Sequence, residues 1–209
     1  MPAPFTLYGH QRSGNVYKAV LALALCGARY DYRHVDLPGG ATRQAAFLAI
    51  NPFGEVPVLR HEGQTIVQTS VILPYVAQAT GRYGGRDAAE NRRIQEWLNW
   101  ETGRLTAGIA PARFARLVQK VDPAIQAFLN ARARDALAQL ERLLTGPFLM
   151  GERATVADVS ACAYTFLVGD AGLDIKEWPR VAAWLERIRA LPGFKPQHEL
   201  VPAADTDAA

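Results

Sequence analysis

The segment at residues 51–59 constrains the fold of this chain more than any other. It reads Asn-Pro-Phe-Gly-Glu-Val-Pro-Val-Leu, a turn rich in proline and glycine that runs directly into a short apolar strand. Because proline cannot donate a hydrogen bond to a β-ladder, we expect Pro57 at the edge or the first residue of that strand. A cis Val56–Pro57 bond would free the preceding main-chain groups to pair with the main chain of a ligand. The segment therefore predicts a strand that begins at a binding site.

A helix begins shortly after this strand. Gln68 and Thr69 open an apolar helical run that continues to about residue 79. The first N–H groups of a helix have no partners within the helix, and they bind carboxylates. We therefore expect the start of this helix to supply a second part of the ligand site.

Strand and helix signals alternate over the first eighty residues. In chain order, the predicted elements are a strand at 5–8, a helix at 15–26, a strand at 30–35, a helix at 42–50, strands at 56–60 and 65–67, and a helix at 69–79. Gly27 stands where a left-handed glycine is expected to end a helix, and Glu62 with Gly63 suits a tight hairpin turn. The order βαβαββα predicts a thioredoxin-like α/β domain at 1–81, with a right-handed parallel βαβ pair followed by a hairpin.

The second half of the chain shows helical periodicity without strand signals. Thr155 and Asp158 have the spacing of a helix N-terminal capping pair. The helix that they precede is apolar nearly all round, which indicates a central core helix. The sequence therefore predicts a linker at 82–87, an all-helical domain at 88–200 and a flexible tail at 201–209. The predicted class is α/β plus all-α.

Composition and charge exclude several classes of function. The 23 basic and 20 acidic residues give a net charge of +3 and are mixed along the chain, which is atypical of a nucleic-acid-binding protein. The two cysteines form no C-x-x-C pair, and the four histidines lack metal-ligand spacing, so we expect no metal site. No stretch reaches the roughly 18 apolar residues of a membrane span, and the N-terminus does not resemble a signal peptide. We therefore expect a cytoplasmic protein that does not bind membranes.

The pattern Asn-Pro-x-Gly-x-Val-Pro-x-Leu, followed by an amide residue, a hydroxyl residue and an Ile-x-x-Tyr helix, resembles the glutathione S-transferases. The string Phe-Leu-x-Gly at 148–151, before the Thr155–Asp158 pair, extends the resemblance to the second half of the chain. It implies a bacterial-type, cytosolic detoxification enzyme with a serine or asparagine in its first loop. Such an enzyme is a homodimer that takes glutathione as cosubstrate and adds its thiolate to an electrophilic small molecule.

Catalysis of this kind requires a group that stabilises the glutathione thiolate. A thiol with a pKa of about 8.5 is only a few per cent ionised at neutral pH, and the thiolate is the nucleophile. A hydrogen bond donated at a helix N-terminus favours the anion. The resemblance implies Ser13, five residues before Lys18, as the first candidate donor, Asn15 as the second and Tyr8 as the third. Ser13 and Asn15 are also residue types that favour helix N-caps.

The resemblance also implies which residues hold the tripeptide. The backbone of Val56 would pair with the cysteinyl main chain of glutathione, and Gln68 and Thr69 would hold its γ-glutamyl end. Three basic residues are candidates for the glycine carboxylate or the mouth of the site: His10, Arg12 and Arg43. Five residues of the helical domain are candidates for contact with the second substrate: Trp97, Trp100, Arg104, Arg113 and Phe114. The types of these residues do not determine the chemical identity of the second substrate.

Two other functions fit the same residues. Glutathione-dependent reduction of disulfides or peroxides is the alternative if Asn15 rather than Ser13 contacts the sulfur. A non-catalytic interaction protein with this fold is the second alternative, although the intact Val56-Pro57 and Gln68-Thr69 pairs favour ligand binding. Isomerisation, as in the zeta class, is disfavoured because residues 14–16 lack that class's Ser-Ser-Cys-Ser string.

Overall fold

A computed structural model of the chain describes residues 4–208 and divides into two compact units. The first unit contains the residues up to Arg82 together with those from Pro192 onward, and the second is Tyr83–Leu191. In chain order the strands are β1 Phe5–Gly9, β2 Tyr30–His34, β3 Val58–His61 and β4 Gln64–Val67, and the helices are α1 Gly14–Cys26, α2 Ala45–Leu48, α3 Thr69–Thr80, α4 Ala88–Trp100, α5 Ala107–Phe114, α6 Pro123–Leu143, α7 Val156–Thr165, α8 Pro179–Arg189 and α9 Gln197–Leu200.

The first unit is built on a mixed four-stranded sheet in the order β2-β1-β3-β4. β1 is parallel to β2, and β3 is antiparallel to both β1 and β4. Glu62 and Gly63 form the hairpin turn with φ angles of 48° and 76°, and Gly27 ends α1 with a φ of 67°. This arrangement confirms the predicted α/β class for the N-terminal part of the chain.

The predicted helix at 42–50 is shorter in the structure. A 3₁₀ turn, Ala41–Arg43, is separated from the single-turn helix α2 by Gln44, whose backbone is extended with a ψ of 146°. Phe47 of α2 is buried with Val35 and Val58, so that this short helix closes an apolar cluster on its side of the sheet.

The C-terminal segment lies against the edge strand β2. Thr206 exchanges two backbone hydrogen bonds with Tyr32, at 2.7 and 3.0 Å. Asp205 Oδ1 accepts a hydrogen bond from the His34 N–H at 2.7 Å. The sequence predicts residues 192–200 in the helical domain and a flexible tail at 201–209, whereas the structure groups this segment with the first unit. An edge strand presents unpaired N–H and C=O groups, and the tail pairs with both of these groups of Tyr32 and with the N–H of His34.

The second unit is all-helical, as predicted. Two wider π-helical segments, Glu101–Thr106 and Ala115–Gln119, flank α5. The buried helix α7 begins with the predicted capping pair: Asp158 is fully buried and accepts hydrogen bonds from the backbone of Thr155 and from the Trp184 indole, at 2.9 and 3.0 Å. Within residues 4–208, no helix is long and apolar enough to cross a membrane.

Candidate functional site

Three chain segments of the first unit meet at one edge of the sheet. Val58, the first residue of β3, is opposite Tyr8 near the end of β1 and opposite Val67, the last residue of β4. The start of α1, the turn before β3 and the start of α3 therefore lie close together. They form a small cleft of about 30 Å³ lined by Asn15, Asn51, Glu55, Val56, Pro57, Gln68 and Thr69.

The turn before β3 is closed by the side chain of Asn51. Asn51 is buried, its Oδ1 accepts a hydrogen bond from the Phe53 N–H at 3.1 Å, and its Nδ2 donates to the Glu55 carbonyl at 2.8 Å. The Val56–Pro57 peptide bond is cis. The β-ladder begins only at Val58, so the main chain of Val56 stands outside it and borders the cleft.

Gln68 turns the chain from β4 into α3. Its backbone has a φ of 69° and a ψ of 124°, a conformation that costs a residue other than glycine roughly 1–3 kcal/mol. Its carbonyl accepts hydrogen bonds from the N–H groups of Val71 and Ile72, both at 2.9 Å. Thr69 is buried as the first residue of the helix. The turn thus brings the Gln68 and Thr69 side chains to the cleft at a helix N-terminus.

Sequence reasoning missed two residues of the cleft, Asn51 and Glu55. A carboxylate oxygen of Glu55 accepts a hydrogen bond from Gln68 Nε2 at 3.1 Å. The cleft therefore carries a negative charge beside the N-terminus of α3. Both missed residues lie within the nine-residue segment that the sequence singles out, and a carboxylate just before the Val-Pro pair was the available signal.

The three candidate donors occupy different surroundings. Asn15 lines the cleft, and its amide oxygen is buried without a hydrogen-bond partner among the described residues. Ser13 is the N-cap of α1, and its Oγ accepts a hydrogen bond from the Val16 N–H at 3.3 Å. The Tyr8 hydroxyl accepts a hydrogen bond from Arg60 Nη1 at 3.3 Å. Of the three, Asn15 is the one that the structure brings together with the other predicted site residues.

The predicted basic residues lie outside the residues that line this cleft. His10 and Arg12 are in the loop between β1 and α1, and Arg43 ends the 3₁₀ turn before α2. His10 is buried, whereas Arg12 and Arg43 are exposed. Within residues 4–208, no group of three or more histidine, cysteine, aspartate or glutamate residues could hold a metal ion.

Three of the candidates in the second unit lie along α4 and the π-helical segment after it. The Trp97 and Trp100 rings meet edge to face, with centroids 5.5 Å apart, and the Trp100 indole donates to Gln139 Oε1. Arg104 lines a cavity of about 310 Å³ beside α6. Trp100 is therefore held against α6 by a hydrogen bond, and Arg104 lies near the same helix.

The remaining two candidates lie at the end of α5. Arg113 Nε donates a hydrogen bond to Asp170 Oδ2 at 2.7 Å, within the same unit. Phe114 is half exposed. The salt bridge gives Arg113 a structural role of its own.

Comparisons with known proteins assign both halves of the chain. Residues 3–78 match the family model for the glutathione S-transferase N-terminal domain, and residues 122–187 match that for the C-terminal domain. The crystal structure of a glutathione S-transferase from Pseudomonas fluorescens is 32% identical, with a TM-score of 0.88, and the match covers 93% of this chain and 99% of that one. Glutathione S-transferase 3 of Zea mays is 27% identical, with 96% of each chain covered. The disulfide-bond oxidoreductase YfcG of Escherichia coli is also 27% identical, with 82% of this chain and 85% of that protein covered.

The backbone of Gln68 yields a prediction about stability. Gln68→Gly and Gln68→Ala both remove the amide that reaches Glu55, but only glycine adopts a positive φ without steric cost. We expect the Gly variant to be more stable than the Ala variant by about 1–2 kcal/mol, as measured by urea unfolding. Equal stabilities of the two variants would contradict a strained backbone at this position.

Proposed function

Because the chain belongs to the glutathione S-transferase family, we propose that it binds glutathione in the cleft of its first unit and activates the thiol there. The chain is a glutathione transferase, with glutathione as cosubstrate and an electrophilic small molecule as its second substrate. The observation that carries the proposal is the convergence of Asn15, Val56, Gln68 and Thr69 on one cleft, although they come from three separate segments of the sequence.

The charges around the cleft suit the γ-glutamyl end of glutathione, which carries both a carboxylate and an ammonium group. The N-terminus of α3, with the Thr69 hydroxyl and the Gln68 amide, supplies donors for the carboxylate. The Glu55 carboxylate, which accepts from Gln68 at 3.1 Å, supplies an acceptor for the ammonium group. A ligand that carries a carboxylate and an ammonium group on one carbon atom can use these donors and this acceptor together.

The middle of the tripeptide would lie along Val56. The N–H and C=O groups of Val56 precede the first ladder position of β3, so they are available to pair with the cysteinyl residue as a short antiparallel strand. This pairing would place the cysteine sulfur toward the start of α1, where Asn15 lines the same cleft.

Asn15 is the donor that the geometry favours for the thiolate. Rotation of its amide group exchanges the unpartnered buried oxygen for the NH₂ group, which then donates to sulfur. The positive end of the α1 dipole adds to the stabilisation of the anion. Ser13, the first candidate from the sequence, has its Oγ engaged by Val16, and its hydroxyl hydrogen is still available as a donor.

The reaction then needs little further chemistry from the protein. The thiol proton leaves to solvent, and the stabilised sulfur anion forms a bond to the electrophilic carbon. In a substitution the leaving group departs with its bonding electron pair, and in an addition to a double bond the carbon next to the one attacked by sulfur receives the displaced electron pair and takes up a proton.

Reduction of disulfides is the second candidate function, and the position of Asn15 in the cleft favours it. The similar YfcG protein is named a disulfide-bond oxidoreductase. The cysteines of this chain, Cys26 and Cys162, are both buried, and burial raises the pKa of the Cys26 thiol. The two electrons for such a reaction would therefore come from two molecules of glutathione, which leave as the oxidised disulfide.

We further propose that the protein is a cytoplasmic homodimer, as the family resemblance implies. Large apolar side chains stand exposed on the first unit, namely Leu48, Phe53 and Val71, and an interface would bury them. Sedimentation of the purified chain at micromolar concentration should give the mass of two subunits. The mass of one subunit would contradict the dimer.

Substitution of Ser13 and of Asn15 tests the donor. We expect Asn15→Ala to lower kcat/KM for conjugation of 1-chloro-2,4-dinitrobenzene by about 10–100-fold, the equivalent of a hydrogen bond to a charged group, with little change in the KM for glutathione. Asn99→Ala, on the exposed face of α4, serves as the matched control.

Each other outcome of this experiment has a definite meaning. Loss of activity in Ser13→Ala with an active Asn15→Ala would identify Ser13 as the donor. Full activity in both variants would contradict activation from this loop. If the wild type reduces 2-hydroxyethyl disulfide with glutathione but does not conjugate the chlorobenzene, the reductase function replaces the transferase one.

A further inference from the structure

The loop between β1 and α1 is closed by His10. The Nδ1 atom of His10 accepts a hydrogen bond from the Arg12 N–H at 3.2 Å, and its carbonyl accepts one from the Ser13 N–H at 3.0 Å. Ser13 then caps α1, and Asn15 lies in the first turn of that helix. The imidazole therefore makes one of the two hydrogen bonds that close the turn, and this turn precedes both candidate donors.

His10 is buried among charged and titratable groups. It is only 6% exposed, and its ring lies 5.3 Å from that of His34, centroid to centroid. Its other neighbours are Arg12 in its own loop and Asp36 after β2. Asp205 of the C-terminal segment accepts a hydrogen bond at its Oδ1 from the backbone N–H of His34, at 2.7 Å.

These surroundings favour the neutral imidazole. Nδ1 can accept the Arg12 N–H only while it carries no proton, so the single ring proton belongs on Nε2. Burial, then His34 and then Arg12 hold the pKa of His10 below its ordinary value, and Asp36 opposes them more weakly. A second proton, on Nδ1, would place that N–H group against the Arg12 backbone N–H and would add a positive charge beside the Arg12 side chain.

We propose that His10 is a positioning residue whose neutral imidazole holds the loop in the form that binds glutathione, and that protonation of His10 opens this loop. His10 acts through Ser13 and Asn15, since it is not among the residues that line the cleft. The inference rests on the proposed function, because it concerns the geometry of the same site.

The sign of the pH effect follows from the protonation state. A group that is neutral in the bound form and protonated in the open form favours binding at high pH. The affinity for the ligand should therefore be highest above the ordinary histidine pKa of about 6.5. It should fall as the pH decreases through the pKa of His10, which is lower than that ordinary value.

The test measures the affinity for S-methylglutathione between pH 5 and pH 7.5 by calorimetry. This ligand has no thiol, so ionisation of the sulfur does not contribute to the profile. We expect the affinity of the wild type to fall by about threefold or more over this range. A pH-independent affinity would overturn the proposal.

Substitutions at His10 separate its hydrogen bond from its charge. His10→Ala removes the acceptor and should weaken binding at pH 7.5 by about fivefold or more. Asparagine accepts hydrogen bonds from the backbone N–H two residues further on and does not titrate. His10→Asn should therefore recover most of the affinity and lose the fall at acid pH. A fall in affinity at acid pH in His10→Asn equal to that of the wild type would overturn the proposal, since the two proteins differ in no titratable group other than His10.

A control at the neighbouring histidine identifies the group that titrates. His34→Gln should keep the fall in affinity at acid pH and move it to higher pH, because a charge on His34 no longer opposes the charge on His10. Loss of this fall in affinity in His34→Gln would show that it does not come from His10 and would overturn the proposal.

Nitrogen NMR of the free protein tests the loop without any ligand. The His10 ring, assigned by its absence in His10→Asn, should show a protonated Nε2 and a bare Nδ1 at pH 7.5. The Arg12 amide signal should shift together with the titration of His10, and a protonated Nδ1 or an unresponsive Arg12 amide would contradict the proposal. A protein that shows no binding of S-methylglutathione at pH 7.5 would refute the proposed function, while these spectra would still decide the state of His10.

Discussion

The register of the sheet determines where the site can form. Tyr8, Val58 and Val67 stand side by side across three strands, so β1 ends, β3 begins and β4 ends at one edge. Every connection that leaves or enters the sheet at this edge must therefore lie beside the others. The start of α1, the turn before β3 and the start of α3 supply the seven residues of the cleft for this reason. A shift of one residue in β3 would reverse its faces and separate Val56 from Gln68.

Two local features convert this topology into the cleft. Asn51 closes its turn with hydrogen bonds to Phe53 and Glu55, and the turn holds Val56 outside the ladder. Gln68 takes a positive φ, which turns the chain sharply into α3 and exposes the first N–H groups of that helix. The strain at Gln68 and the unpartnered amide oxygen of Asn15 fall in the same small region, as is common where a structure is organised to bind a ligand.

Much of this arrangement was predictable from the sequence, because the signals are local. Turn-forming residues and capping residues act within a few positions, so the hairpin at Glu62, the end of α1 at Gly27 and the capping pair before α7 follow from residue types alone. The nine-residue segment at 51–59 likewise identified Val56 and the region of the cleft.

The remaining features depend on long-range packing. The C-terminal segment has no apolar periodicity, and its place along β2 results from backbone pairing with a strand more than 170 positions earlier. The sequence also could not decide between Ser13 and Asn15. Two positions along a helix differ in direction by about 200°, so the side chain that faces the cleft depends on how α1 is set against the sheet. Asn51 and Glu55 were not predicted as site residues, because the sequence of a turn does not determine which of its side chains point toward the cleft.

Calorimetric titration with reduced glutathione at neutral pH tests the central claim most directly. The account predicts saturable binding with a dissociation constant below about 1 mM, weakened in Gln68→Ala by about 1–3 kcal/mol through the loss of a polar partner. No measurable heat at several times that concentration would contradict the account and leave the fold as a scaffold for some other partner.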